Sequence, residues 1–221
     1  MNESQLRDEI CRVGRSLFER GYVHATAGNI SVRLDDGFLI TPTDACLGFL
    51  EPDALARVDA SGQQVGGAPA SKTLVLHRRI YAAHAALGVP VPRCVIHTHS
   101  THCVALTLGD PHGELLPPIT PYFVMKVGHV PIVPYHRPGA PEAAEAIASL
   151  ITRYTGQGTP LRAVMLTRLG PNVWHDSPAQ AMAVLEELEE TARLWMLAQP
   201  RPQPLGEEAL NQLRIAFGAR W

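Results

Sequence analysis

The chain has 221 residues, 46% hydrophobic and 18% charged, with 19 Lys plus Arg against 21 Asp plus Glu and a formal net charge of -2. This length and balance suit a single globular domain, 1–221, with a full core. The lack of a basic excess argues against a nucleic-acid partner. No apolar run approaches the roughly 20 residues of a membrane-spanning helix, so no membrane partner is expected. The opening stretch MNESQLRDEICRVGRSLFER carries charge throughout and does not read as a secretory signal, which predicts a cytoplasmic protein. Cys11, Cys46, Cys94 and Cys103 form no CxxC pair and are expected as reduced thiols in packing positions. Ten histidines, several of them clustered, raise the question of a metal site.

In chain order, Leu6, Ile10, Val13 and Leu17 recur at helical steps and predict a helix over 3–20, ended by Gly21. Strands are expected at 30–34 and 38–41, split by the Asp35-Asp36-Gly37 turn, and 62–69 reads as a glycine-rich turn region. Residues 71–86 read as a helix with Leu74, His77, Ile80, Tyr81 and His84 on one side. Strand-like runs follow at 94–99, 129–135 and 162–167. Helices are expected at 141–154, 178–198 and 207–217, the second carrying a packing stripe of Met182, Leu185, Leu188, Ala192 and Trp195. Interleaved helices and strands place the chain in the α/β class.

Three segments carry candidate chemistry. His97 and His99 stand at i and i+2 at a strand end, where alternation puts both imidazoles on one face, a geometry that can chelate one ion. Gly28 and Asn29 precede a strand, where a glycine lets backbone approach a ligand and an amide can donate. Thr41 and Thr43 supply hydroxyls after the next strand. Ser71 is expected at a helix start, where N–H groups and the dipole favour an anion, with Lys72 adding charge. Together these point to phosphate or carboxylate binding. The plainer readings are a two-residue turn at Gly28-Asn29, a simple helix cap at Ser71 and loop hydroxyls at the threonines.

Taken in order, the segments TAGNISVRL (26–34), ITPTDACLG (40–48), ASKTLVLH (70–77), VIHTHSTHCVAL (95–106), TPYFVMK (120–126), VPYHRPG (133–139) and LEELEETARL (185–194) resemble the class II aldolase/adducin family. The likeness is closest to its 3-oxo-tetronate 4-phosphate decarboxylase branch. The resemblance implies a three-layer α/β/α sandwich around a mostly antiparallel sheet, assembled as a C4 homotetramer. It implies a divalent metal, most commonly zinc, held by three histidines, two of which match His97 and His99. It implies substrate phosphate bound by Gly28, Asn29, Thr43 and Ser71 with Lys72 and the position of Asp44 beside them, and catalysis carried at Lys72, position 73 and Tyr122. The family tyrosine matching Tyr122 reaches the site across a subunit interface.

Three departures fall on that chemistry. The family's acid/base Glu is replaced by Thr73, which cannot titrate near neutral pH. The third metal histidine is replaced by Leu169, before Gly170. The glycine after the phosphate-loop threonine is replaced by Asp44, which repels phosphate unless it turns away or pairs with Lys72. His102, His129, His175 or a carboxylate such as Asp44 could complete a metal site. A two-histidine site with a carboxylate would suit iron, and metal could also be absent. Arg168, beside Leu169, is a candidate cation for a carboxylate or enolate oxygen. The expected function is a lyase or decarboxylase acting on a small oxygenated acid or sugar phosphate with an altered site. The alternatives are a non-catalytic scaffold or small-molecule binder and a repurposed biosynthetic enzyme with a different metal or none.

Overall fold

A computed structural model describes residues 1–109 and 112–221. Within these residues eight strands form one sheet in the order β4-β3-β2-β1-β5-β8-β7-β6. They are β1 (Asn29–Leu34), β2 (Gly37–Ile40), β3 (Ala56–Asp59), β4 (Gln64–Gly66), β5 (Cys94–His97), β6 (Ile132–Val133), β7 (Ala163–Leu166) and β8 (Gly170–His175). Every pairing is antiparallel except β6 with β7. Among the described residues, six α-helices flank the sheet: α1 (Glu3–Glu19), α2 (Leu74–Ala86), α3 (Thr101–Ala105), α4 (Pro141–Gly156), α5 (Pro178–Leu197) and α6 (Glu207–Phe217). The result is the expected three-layer α/β/α sandwich.

Each layer follows from the side-chain pattern. A reciprocal Asn2–Gln5 capping box starts α1, and its buried Leu6, Ile10, Val13 and Leu17 meet Ile30, Val32, Cys94, Ile96 and the α5 residues Leu185 and Leu188 on one sheet face. The opposite face carries Val95, Val164, Leu166 and Trp174, packed against Ile80 and Tyr81 of α2 and Ile147, Ala148 and Ile151 of α4. Alternation along β1, β5 and β8 therefore fixes which side chains look toward α2. Cys94 and Cys103 are buried, Cys11 and Cys46 half-buried, and all four are free thiols. Among the described residues no helix is long and apolar enough to cross a membrane.

The sheet departs from the sequence expectations in four places. The 62–69 region contains β4, which pairs with β3, and neither strand was expected. The 129–135 run yields only Ile132–Val133, because Pro131 and Pro134 lack the N–H groups a longer ladder needs. Residues 170–175 form β8, a central strand whose Gly-Pro opening reads as a turn in sequence. Helix α2 begins at Leu74 rather than at Ser71, since residues 71–73 form a separate turn before it.

A candidate active site at the end of strand β5

Strand β5 ends at His97, and the chain turns away there, so His99 stands beyond the strand. The two rings nevertheless meet edge to face with centroids 5.0 Å apart. His97 is buried, and its Nδ1 donates to the Pro171 carbonyl at 3.0 Å. A carbonyl only accepts, so the proton sits on Nδ1 and Nε2 presents a lone pair, the orientation a ligating histidine needs. Burial, reinforced by His99, lowers the His97 pKa to about 4, and burial with His24 nearby lowers that of His99. Both imidazoles are held neutral at physiological pH.

Two glycines press on the backbone that carries this pair. Gly28, at φ +87°, would place a Cβ 2.9 Å from the Val23 side chain and 3.0 Å from the His97 carbonyl oxygen. Gly170, at φ +134°, would place one 1.9 Å from the Thr98 carbonyl oxygen. Gly28 is thus required by protein packing. The short helix α3 is fixed from beneath by Glu189, which accepts from His102 N (2.8 Å), His102 Nδ1 (2.8 Å) and Cys103 N (3.0 Å).

The anion-side residues come together at one sheet end. Ser71 N donates to the Thr41 carbonyl (3.2 Å) and Thr43 N to the Pro69 carbonyl (2.9 Å), which lays the Thr43 turn alongside Ser71. Thr41 itself is structural, since its buried hydroxyl accepts from Ile30 N. The Ser71 and Thr73 hydroxyls share a hydrogen bond of 2.8 Å. The amides of Leu74, Val75 and Leu76 already bond back to the carbonyls of Ser71, Lys72 and Thr73. The expectation of Ser71 as the helix start with a free first turn is therefore corrected. The donors left for an anion are the Lys72 and Thr73 N–H groups, the serine hydroxyl and the exposed Lys72 ammonium. Asp44 is exposed, in the left-handed region at φ +55°, and forms no ion pair with Lys72. The turn thus keeps a glycine-like backbone while carrying an acidic side chain.

The other candidates are dispersed. Leu169 packs against the α2–α4 cluster. Arg168, at φ +63°, donates its backbone N–H to Thr107 Oγ1 and its guanidinium to the Leu108 carbonyl at 3.1 Å, which ties it to the turn after α3. His102 is held by Glu189, and His129 stacks on Trp221 beside Glu114. His175 pairs with Cys94 at the far end of β5. Among the described residues no group of three or more His, Cys, Asp or Glu could hold a metal ion. The His97–His99 pair therefore lacks the third protein ligand that a three-histidine centre requires. Tyr122 is exposed and caps the π-helical turn Phe123–Val127, which packs on α5. His97 looks toward α2, on the sheet face opposite to the α5 layer on which this turn packs.

This arrangement matches a known family. The class II aldolase and adducin N-terminal domain profile matches residues 8–196. The chain belongs to that family. It is 53% identical to the 3-oxo-tetronate 4-phosphate decarboxylase of Cupriavidus necator, over 99% of each chain, and 40% identical to the Escherichia coli K12 protein of the same name, over 90% of each. Among solved structures, YgbL of Klebsiella pneumoniae, described as a putative aldolase/epimerase/decarboxylase, superposes with a TM-score of 0.85 at 39% identity, covering 97% of this chain and all of that one. The L-fuculose-1-phosphate aldolase of Thermus thermophilus superposes at 0.71 and 28% identity, covering 88% of this chain and 97% of that one.

Asn172 was missed by sequence reasoning. It lies on β8 directly opposite His97, is 1% exposed, and its amide has no partner. No local signal marks it, because its neighbourhood is created by cross-strand pairing.

Proposed function

We propose that this protein is a decarboxylase-type lyase on a small phosphorylated oxo acid, with a catalytic centre altered from that of its relatives. The observation that carries this reading is that the Ser71–Lys72 turn, held beside the Thr43 turn, lies at the same sheet end as the His97–His99 pair. The full-length likeness to proteins named 3-oxo-tetronate 4-phosphate decarboxylase supports it.

The chemistry of the departures favours decarboxylation over aldol cleavage. Aldol cleavage begins by removing a hydroxyl proton, which calls for a base, and Thr73 cannot serve as one. A 3-oxo acid loses carbon dioxide as the breaking C–C bond delivers its electron pair to the neighbouring carbonyl, giving an enolate. That step needs no base, only donors aimed at the developing oxyanion. In this reading the Ser71 hydroxyl and the Lys72 and Thr73 N–H groups hold the phosphate, and Tyr122 of a neighbouring copy in a homo-oligomer protonates the enolate carbon. Gly28 and Gly170 keep the His97 strand end in register, with Asn29 beside it. His97 and His99 are two of the three histidines that the family resemblance implies, and no step here is routed through a metal.

Thr73 and Leu169 together favour a second reading, a non-catalytic binder that retains the cradle. Carbon dioxide release from 3-oxo-tetronate 4-phosphate by the purified protein separates the two. The lyase reading expects turnover that Ser71→Ala lowers about ten-fold or more. No turnover in the parent, with turnover and zinc binding appearing in a Thr73→Glu/Leu169→His double variant, establishes the binder reading instead.

A further inference from the structure

Four of the six enclosed side-chain polar atoms without a hydrogen-bond partner, among the described residues, belong to one small region beside His97. They are Asn29 Oδ1, His77 Nε2, and Asn172 Oδ1 and Nδ2; the other two belong to Glu9 and His129. Asn29, His77 and Asn172 are 6%, 0% and 1% exposed. The sheet register sets Asn29, His97 and Asn172 abreast on β1, β5 and β8. Directly opposed residues share a face, and here that face is the α2 side, from which His77 reaches Ser31 on β1.

Tyr81 Oη lies 3.2 Å from the Ser31 carbonyl oxygen and 2.8 Å from Ser31 Oγ, which in turn lies 2.8 Å from His77 Nδ1. His77 Nδ1 is thus engaged and Nε2 is not, while Nε2 of His97 is a lone pair because its Nδ1 donates to the Pro171 carbonyl. The enclosed atoms left without a partner include the whole Asn172 amide and the Asn29 amide oxygen. Other buried polar side chains of this region, Ser31, Tyr81 and Thr41, are paired. Enclosed amides without partners are rare in native proteins and destabilising, and a bound water or ligand would satisfy them.

We propose that Asn172 is a ligand-contacting, specificity-determining residue for a small acid bearing adjacent hydroxyl groups. Its NH₂ donates to an acyl oxygen of the ligand, and the surrounding lone pairs accept the hydroxyl protons. An apolar acid would leave every one of these groups unpaired, and a plain phosphate supplies too few donors. The acid class rests on the function proposed above; the recess itself does not.

Calorimetric titration of the full chain tests this with two stable probes: erythronate 4-phosphate, which carries hydroxyls and a carboxylate, and butyl phosphate, which carries neither. Asn172→Leu keeps the volume and removes the amide. It is expected to weaken erythronate 4-phosphate by about ten-fold or more, to leave butyl phosphate unchanged, and to raise Tm because an unpaired amide has gone. Asn172→Val serves if the leucine variant does not fold. Unchanged erythronate 4-phosphate affinity, or a lowered Tm in both variants, overturns the proposal, since the latter means the amide already has a partner in the free protein. Zinc titrated alone provides a further check: an affinity that falls in Asn172→Leu while acid binding holds makes Asn172 a metal ligand and overturns the proposal. Acid binding lost in Ser71→Ala but kept in Asn172→Leu overturns the proposal and spares the function. Asn172-dependent binding without any decarboxylation does the reverse. No binding of either probe overturns both.

Discussion

Gly28 and Gly170 flank strand β5 from opposite sides, and their comparison separates what the backbone demands from what the side chains supply. Both adopt positive φ, and both press on the backbone after Ile96. On the β1 side the glycine is followed by Asn29, the residue that the family resemblance assigns to an anion-binding loop. On the β8 side the glycine follows Leu169, an apolar residue that turns into the α2–α4 cluster. The backbone frame is the same kind of construction on both flanks, yet only one flank presents the side chains that the family resemblance implies. Steric demands on the backbone are independent of the chemistry hung on it.

The comparison can be broken most sharply at Gly170. Gly170→Ala puts a methyl 1.9 Å from a carbonyl oxygen at a φ foreign to alanine. It should cost more than about 4 kcal/mol, or abolish folding, in urea denaturation. A second effect lies beneath the histidine pair. Burial, reinforced by His97, lowers the His77 pKa to about 3 from 6.5. The unfolded chain takes up this proton as pH falls through 6.5, whereas the folded chain does not until about 3. The stability is therefore complete above pH 6.5 and declines as pH falls toward 3, by up to about 1.4 kcal/mol per pH unit. Denaturation of His77→Gln between pH 6 and pH 4 should show a slope shallower by about that amount. An unchanged slope would mean that His77 is not the buried neutral group.

Gly28→Ala should cost only about 1–2 kcal/mol, because its nearest obstacle at 2.9 Å is the movable Val23 side chain. Equal losses at Gly28 and Gly170 would remove the distinction between the flanks. The smallest effect is expected at Asp44→Gly, which relieves a left-handed φ of +55°. It should stabilise the chain by about 0.5–1 kcal/mol and tighten phosphate binding by removing a negative charge. Tm and phosphate titration measure the two parts. Weaker phosphate binding would show that Asp44 serves the ligand.

Much was legible in the chain itself. Apolar periodicity placed α1, α4, α5 and α6 within a few residues, because helix burial repeats locally every three to four positions. The ordered segments identified the family and its sandwich. The same segments set Thr73 and Leu169 where the family resemblance implies a carboxylate and an imidazole, a contrast that is visible without coordinates. Other features required the fold. Strand β8 is hidden by its Gly-Pro opening, and the start of α2 depended on hydrogen bonds within residues 71–73. Arg168 is tied to the Leu108 carbonyl by a contact between distant segments. Asn172 is the clearest case. Nothing in PNVWH distinguishes it, and its significance arises only because β8 pairs with β5 and sets its amide opposite His97. Sequence records what each residue can do within a turn of chain. Which groups share a buried space is decided by long-range strand pairing, and that pairing alone leaves the Asn172 amide without a partner.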